Sequence, residues 1–213
     1  MATILIVDDH PAFRLVIKTH LLQMPGVDLV IEADNGQVAV ELARQHTPAL
    51  VVLDLDIPRI NGLDVIPRLK LIDPDARVLI LSGQDPATFV PRAMRAGAHA
   101  FVGKAQDLRE FTRAVEAVLA GYTVFPLTRG AGGTLIANTS DEESKLEQLS
   151  DKELVILQML ARGMSNKAIG EALFISNKTV SSHKTRIMKK LTIDSLVELV
   201  DFARRCRITA GHR

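Results

Sequence analysis

The first half of the chain alternates between two textures of apolar residues. Short, almost continuously apolar runs recur at 3–7, 27–31, 50–53, 78–81 and 100–102. Strands buried on both faces read this way, because neither face tolerates polar side chains. Between them lie longer stretches with helical spacing, at about 11–23, 36–46, 63–72, 87–96 and 107–120. Turn signals punctuate the alternation: Pro25-Gly26, Asn35-Gly36, Asn61-Gly62, Asp73-Pro74 and Ala96-Gly97. Five βα repeats predict an α/β domain over residues 1–120, a five-stranded parallel, doubly wound sheet with helices on both faces. Sites on such sheets sit at the C-terminal strand ends, near the point where strand order reverses.

The texture changes twice more. Residues 121–148 show neither period; Gly130, Gly132 and Gly133 precede Asn138-Thr139-Ser140 and Asp141-Glu142-Glu143. This composition predicts a linker, whose apolar piece Tyr122–Leu127 packs before the linker proper begins. Residues 149–213 are all-α in pattern. Ser150 with Glu153 forms a capping box that opens a helix to about Arg162, closed by Gly163, with Leu154, Leu157, Leu160 and Ala161 as its buried stripe. Ser165 starts a second short helix carrying Ile169 and Leu173, and Ser176 caps a third reaching about Leu191. Ser195 with Glu198 opens a fourth, to about Arg205, with Leu196, Leu199, Val200 and Ala203 along its stripe. The tight segment Leu173–Ser176 between the second and third helices suits a helix-turn-helix.

Charge sharpens this division. The net charge of +1 comes from 26 basic and 25 acidic residues. Residues 1–120 hold 12 Lys and Arg against 15 Asp and Glu, residues 121–148 hold 2 against 4, and residues 149–213 hold 12 against 6. The segments are therefore −3, −2 and +6, which predicts a polyanion partner for the last one only. A chain of 213 residues, 47% hydrophobic, is long enough for two small cores. The single cysteine, Cys206, excludes an internal disulfide framework and Cys-ligated zinc sites, and points to a reducing compartment. No apolar run reaches the roughly 18 residues of a membrane span, and MATILIVDDHP meets acids too early for a secretory signal. A cytoplasmic protein without membrane contact is the expectation.

Candidate chemistry gathers at the expected strand ends. Asp8 and Asp9 end the first strand, Asp54 the third and Ser82 the fourth, and Lys104 follows the fifth. In a parallel sheet these ends share one edge. Three converging carboxylates repel unless a hard cation sits among them, and Mg²⁺ suits an all-oxygen site completed by water and phosphate. A carboxylate there can attack a phosphoryl group, with a hydroxyl and an ammonium holding the transferred oxygens. Taken singly, each residue is an ordinary turn former, helix cap or surface lysine; only the set argues for a site.

With these residues placed, a resemblance is plain. VDDHP at 7–11, VVLDLDIPRINGLDVI at 51–66, LSG at 81–83 and FVGK at 101–104 resemble a response-regulator receiver domain. The whole chain except the linker resembles the NarL/FixJ family. AGYTVFP at 120–126 and SNKTVSSHKTR at 176–186 are similar to its BvgA/EvgA branch. The resemblance implies that Asp54 is the phosphoacceptor. Asp9 and Asp54 would ligate Mg²⁺ directly, Asp8 mostly through water, and Asp56 through its backbone carbonyl. Lys104 and Ser82 would contact the phosphoryl oxygens, Phe101 would rotate inward as a switch, and Pro58 and Gly62 would shape the loop after Asp54. Asp56 places an extra acid beside the phosphorylation site, so Asp56 and Gln84 are expected to tune phosphoryl lifetime.

A competing enzyme reading takes VVLDLDIP as the Asp-x-Asp motif of a haloacid-dehalogenase-type phosphatase, with Asp54 as nucleophile and Asp56 as general acid–base. Three features oppose it: that nucleophile lies on the first strand, the remaining acid pair should follow the lysine, and no cap domain fits. The expectation is a non-turnover protein that accepts one phosphoryl group and slowly loses it.

At the basic end, Val180, Ile187 and Leu191 fall on one side of the third helix. Lys178, Ser182, Thr185, Arg186 and Lys189 fall on the other, flanked by Ser181. A solvated face is the bland alternative, but helix-turn-helix spacing with the charge asymmetry favours double-stranded DNA. Residues 150–191 are similar to the LuxR-type DNA-binding domain, which implies base reading from Ser181, Ser182 and Thr185. Lys178, Thr179, Lys184, Arg186 and Lys189 suit phosphate contacts. Small hydroxyls read bases weakly, so DNA shape and water carry part of the specificity. In the family the last helix pairs two such domains on inverted or direct half-sites. Leu199, Val200 and Ala203 are the candidate dimer face, although some of them must serve the domain's own core. His10 is placed to shape the acidic pocket. His183 lies between the two faces and serves packing or phosphate contact, while His20, His46, His99 and His212 have no metal-spaced partners. The partners expected are a sensor histidine kinase or phosphotransfer domain, DNA, a second copy when phosphorylated, and RNA polymerase.

Overall fold

The computed structural model describes residues 2–126, 141–206 and 208. The chain divides into two compact units, Met1–Arg129 and Gly130–Arg213.

In the first unit β1 (Ala2–Val7), α1 (Pro11–Leu21), β2 (Val27–Ala33), α2 (Gly36–His46), β3 (Leu50–Leu53), α3 (Gly62–Ile72), β4 (Val78–Ser82), α4 (Pro86–Ala96), β5 (Ala100–Gly103) and α5 (Leu108–Leu119) alternate without interruption. All strand pairs are parallel, in the order β2-β1-β3-β4-β5. β1 pairs on both sides, with β2 and with β3, so the winding direction reverses between β1 and β3. The ends of these two strands carry Asp8 and Asp54. β3 and β4 are buried at every residue, which is why they are unbroken apolar runs up to Ser82 at the end of β4. Ile17, Leu21, Phe111, Val115 and Val118 of α1 and α5 close over Ile4, Ile6 and Val52. β2 runs two residues beyond the expected Ile31 because Glu32 and Ala33 still pair with Ile6 and Val7.

Helix starts follow local capping. The Asn35 side chain accepts from the amides of Gln37 and Val38, each at 3.0 Å. Asp85 and Asp107 cap α4 and α5 in the same manner. The loop after β3 closes tightly on itself: a side chain at Gly62 would collide with the backbone carbonyl of Asp54.

The stretch 121–148, expected to be a linker, is structured at both ends. Val124 donates its amide to the His99 carbonyl (2.8 Å) and accepts from the Phe101 amide (2.9 Å), adding one parallel bridge to the edge of β5. The apolar piece thus packs as expected through Pro126; Leu127 and the glycine-rich part lie outside the described residues. At the other end α6 (Asp141–Glu147) forms, because Leu146 and Leu149 find burial against the helices that follow.

The second unit adds α7 (Asp151–Ala161), α8 (Asn166–Leu173), α9 (Asn177–Leu191) and α10 (Leu196–Arg205). The expected capping box is present: Ser150 Oγ accepts from the Glu153 amide (3.3 Å) and Glu153 Oε2 accepts from the Ser150 amide (2.8 Å). Gly170 is required by the α8–α9 turn, since a Cβ there would lie 2.7 Å from the Ile175 carbonyl oxygen. Val180, Ile187 and Leu191 face the core of this unit, as their spacing predicts. The stripe of α10 is rotated from the expected one. Leu199, Phe202 and Ala203 are buried, whereas Leu196 is 46% exposed. Phe202 offers the larger apolar area, and turning it inward swings Leu196 out.

Candidate functional site

Strand order brings the acids together. Asp8 and Asp54 follow the neighbouring strands β1 and β3, and both are 2% exposed; Asp9, the next residue, reaches solvent. Lys104, just beyond β5, crosses to them: its Nζ lies 2.6 Å from Asp8 Oδ2 and 2.7 Å from Asp54 Oδ2. The ammonium also sits 4.6 Å from the centre of the Phe13 ring. Arg14 donates from Nη1 to the Asp8 carbonyl (2.6 Å), pinning the backbone at the end of β1. No sequence spacing announces that contact, because Arg14 reaches back from α1 across a loop.

Burial dominates the electrostatics. It raises the Asp54 carboxyl from 3.8 to about 6, with Asp8 and Asp56 adding to the rise and Lys104 opposing it. Burial works against the Lys104 ammonium, but Asp54 and Asp8 outweigh it and hold its pKa above the usual value. The second Asp54 oxygen, Oδ1, is buried with no hydrogen-bond partner among the described residues. One ligand atom from each of Asp8, Asp9, His10 and Asp54 lies within 4.8 Å of the others. An orphaned, buried carboxylate oxygen within a cluster of oxygen donors fits a divalent cation.

The remaining expected residues surround this pocket. Ser82 is fully buried at the end of β4, and its Oγ accepts from the Gln84 amide (3.3 Å). The backbone of Ser82 also accepts from the Lys104 amide (2.9 Å). Asp56 Oδ2 accepts from Gln84 Nε2 at 2.5 Å, so the acid two residues beyond Asp54 is held by the end of β4. Phe101 is only 3% exposed: its ring is already inward in the structure described.

In the second unit Lys178, Ser182, Thr185, Arg186 and Lys189 are exposed on α9, while Thr179, Ser181 and Lys184 are half-buried. Ser181 Oγ accepts from Asn166 Nδ2 of α8 (3.1 Å), which occupies one of the expected base-reading hydroxyls. Ser182 and Thr185 donate to the carbonyls of Lys178 and Ser181 in their own helix (3.0 and 3.1 Å). Lys190, which sequence reasoning passed over, ties α9 to the α7 capping box through Glu153 Oε2 (2.6 Å). Burial pushes Glu153 up, but the hydrogen bonds from Lys190 and Ser150 outweigh it and hold its pKa below the usual value. His183 packs inward as expected of a residue between the faces. Its Nδ1 is buried without a partner among the described residues, and burial lowers its pKa.

The dimer face needs correction. Leu199 and Ala203 are fully buried in their own domain and are unavailable to a partner; Val200 is half-buried. The apolar residues α10 does present are Leu196 and Val197, at 46% and 72% exposed.

A five-stranded receiver fold with an acidic pocket at its switch point, followed by a basic helix-turn-helix unit, defines a response regulator. Comparison with known proteins agrees. The family described as response regulator receiver domain matches residues 4–116, and bacterial regulatory proteins of the luxR family match residues 147–203. A transcriptional regulator of Pseudomonas aeruginosa is 50% identical over 206 residues, covering 96% of this chain and 98% of its own. The virulence-factor transcription regulator BvgA of Bordetella pertussis is 45% identical, covering 95% and 96%. The DNA-binding transcriptional activator EvgA of Escherichia coli is 32% identical, covering 96% and 98%. RcsB of Salmonella enterica serovar Typhimurium, solved on promoter rprA with a phosphomimetic, shares the fold. It has a TM-score of 0.65 at 20% identity, with 96% of this chain and 98% of that one covered. The chain belongs to the NarL/FixJ family of two-component response regulators and is a transcription regulator with a LuxR-type DNA-binding domain. The topology also differs from the one the phosphatase alternative requires: Asp54 follows β3, after the acid pair that follows β1, and not the first strand.

Proposed function

We propose that Asp54 is the phosphoacceptor and that its phosphorylation switches self-association and binding to double-stranded DNA. The observation that carries this reading is the buried Asp54 carboxylate at the strand-order reversal, one oxygen bound by Lys104 and the other without a partner among the described residues. The donor is a phosphohistidine of a sensor kinase or phosphotransfer domain. An Asp54 carboxylate oxygen attacks phosphorus, the P–N bond breaks with its electron pair going to nitrogen, and the imidazole, already protonated on its other ring nitrogen, leaves as the neutral ring. Lys104 then exchanges its Asp54 contact for the transferred phosphoryl oxygens, and the Ser82 hydroxyl donates to one of them. Asp9, Asp54, Asp8 and the Asp56 carbonyl are the groups that would hold Mg²⁺, which supplies positive charge against the phosphoryl oxygens when bound. Phe101 and the β5 edge beside Val124 relay the change. Hydrolysis of the acyl phosphate returns the protein to its starting state, slowly and without substrate turnover.

For the output, Lys178, Thr179, Lys184, Arg186 and Lys189 contact DNA phosphates, while Ser182 and Thr185 reach base edges once they give up their helical carbonyls. Ser181 acts through Asn166 rather than alone. Leu196 and Val197, with Val200 at their border, form the paired face of α10. The setting is the cytoplasm, with RNA polymerase as the further partner, and the domain scheme is 1–120, a linker over 121–148, and 149–213.

Incubating the purified chain with Mg²⁺ and acetyl phosphate tests the switch. Intact mass and duplex-DNA binding are read on the same samples, alongside Asp54→Asn. One phosphoryl adduct on the wild type, absent from the variant and accompanied by tighter DNA binding, is the expected outcome. An adduct that survives in Asp54→Asn, or DNA binding indifferent to the adduct, refutes it.

A further inference from the structure

The acidic pocket contains one donor that an all-oxygen magnesium site does not need. His10 follows the acid pair directly, and its Nδ1 lies 2.8 Å from Asp9 Oδ1 and 3.3 Å from Asp8 Oδ1. The backbone places it there. The His10 amide donates to Asp8 Oδ1 (2.8 Å), and Pro11 begins α1 immediately after. The imidazole does not cap that helix and remains half exposed.

We infer that His10 supplies a nitrogen ligand to the cation site, so that the pocket favours a borderline divalent transition ion over Mg²⁺ more strongly than its carboxylates alone would. This inference rests on reading the pocket as a cation site. Two donors on one ion with bonds of about 2.0–2.2 Å stand at most about 4.4 Å apart. The donor atoms of Asp8, Asp9, His10 and Asp54 are already within 4.8 Å of one another, so small side-chain rotations bring all four onto one centre. Asp54 Oδ1 gives a further sign of a ligand: it is a buried carboxylate oxygen with no hydrogen-bond partner among the described residues. The positive charge of Lys104 between Asp8 and Asp54 marks where a cation's field is accepted. Imidazole suits Mn²⁺, Co²⁺ or Zn²⁺, whereas Mg²⁺ prefers oxygen and keeps its waters.

Every nitrogen- or oxygen-containing site binds Co²⁺ more tightly than Mg²⁺ to some degree, so the informative quantity is how that ratio changes with residue 10. The untagged full-length chain is titrated calorimetrically with Co²⁺ and with Mg²⁺, for wild type, His10→Ala, His10→Gln and Asp54→Asn. His10→Gln retains a hydrogen-bond donor for the acids but no imidazole. The expected result is a Co²⁺-to-Mg²⁺ affinity ratio that falls about tenfold or more in both His10 variants, with a change in the visible absorption of the bound Co²⁺. If Mg²⁺ binds in an Asp54-dependent manner but the ratio is the same in wild type and both His10 variants, the imidazole is no ligand and the cation site itself stands. If neither ion binds in an Asp54-dependent manner, the cation site and the His10 assignment fall together. A ratio lost in His10→Ala but kept in His10→Gln assigns His10 a hydrogen-bonding role and also overturns the inference.

Discussion

A carboxylate that attacks phosphorus has to be both sheltered from water and ionised, and Asp54, as the proposed phosphoacceptor, stands between these demands. Its pKa of about 6 records the conflict: burial, then Asp8 and Asp56, disfavour the charge that Lys104 supports. Because the folded value exceeds the unfolded one, the associated stability is present below pH about 4 and is lost as pH rises through 6. In metal-free buffer Asp54→Asn should therefore stabilise the receiver by about 2–3 kcal/mol at pH 7.5, a gain that vanishes near pH 4. Denaturant titration of both proteins at the two pH values checks this; a pH-independent difference would contradict it. Asp56, held by Gln84, adds negative charge beside the acyl phosphate and an acceptor for attacking water. Both effects shorten the life of the phosphoryl group, so Asp56→Asn should slow its loss roughly two- to tenfold. The decay of the intact-mass adduct measures that rate, and an unchanged half-life removes Asp56 from the chemistry.

At the scale of elements, the helices of the second unit are joined by a few polar ties. Glu153 closes the cap of α7 and also receives Lys190 from α9, so one carboxylate fixes two helices. Glu153→Ala removes the ion-pair partner of Lys190, which keeps only the Gln148 carbonyl, and opens the cap. The expected cost is about 2–3 kcal/mol at neutral pH, read as a shift in the denaturant midpoint of this unit. Since the folded pKa is depressed, the contribution is present above the unfolded carboxylate value and fades as pH falls through the folded one. A loss of the same size at pH 3 and pH 7 would show that packing, not the charge, is responsible.

The whole molecule joins a receiver to a DNA-reading unit, and in the proposed switch its output depends on surfaces left open by both cores. On α10 that surface is Leu196 and Val197, turned out because Leu199, Phe202 and Ala203 complete the domain's own interior. Val197→Glu puts a charge on a residue that the core does not use. The phosphorylated variant should stay folded, sediment with a weaker dimer by tenfold or so, and bind paired half-sites less tightly than single ones require. Unaltered sedimentation and DNA affinity would exclude α10 as the pairing face.

How much of this was legible in the sequence depended on the range of the cause. The alternation of apolar runs and amphipathic stretches specified five strands, their flanking helices and the edge where Asp8, Asp54, Ser82 and Lys104 would meet, because burial on both faces and helical period are local patterns. Ser150 with Glu153, Ser165, Ser176 and Ser195 with Glu198 announced helix starts for the same reason: a cap is made within three residues. Other features are set by neighbours distant in sequence. The apolar piece around Val124 announced that it would pack, but nothing local named the β5 edge as its partner, or turned Phe202 inward at the expense of Leu196. Nor does any spacing connect Asn166 to Ser181, Lys190 to Glu153, or Arg14 to the carbonyl of Asp8. The sequence determined which residues were chemically equipped to form a pocket and a basic helix. The tertiary structure decided which of their atoms are occupied and which stay open, since that competition is settled only when the elements pack.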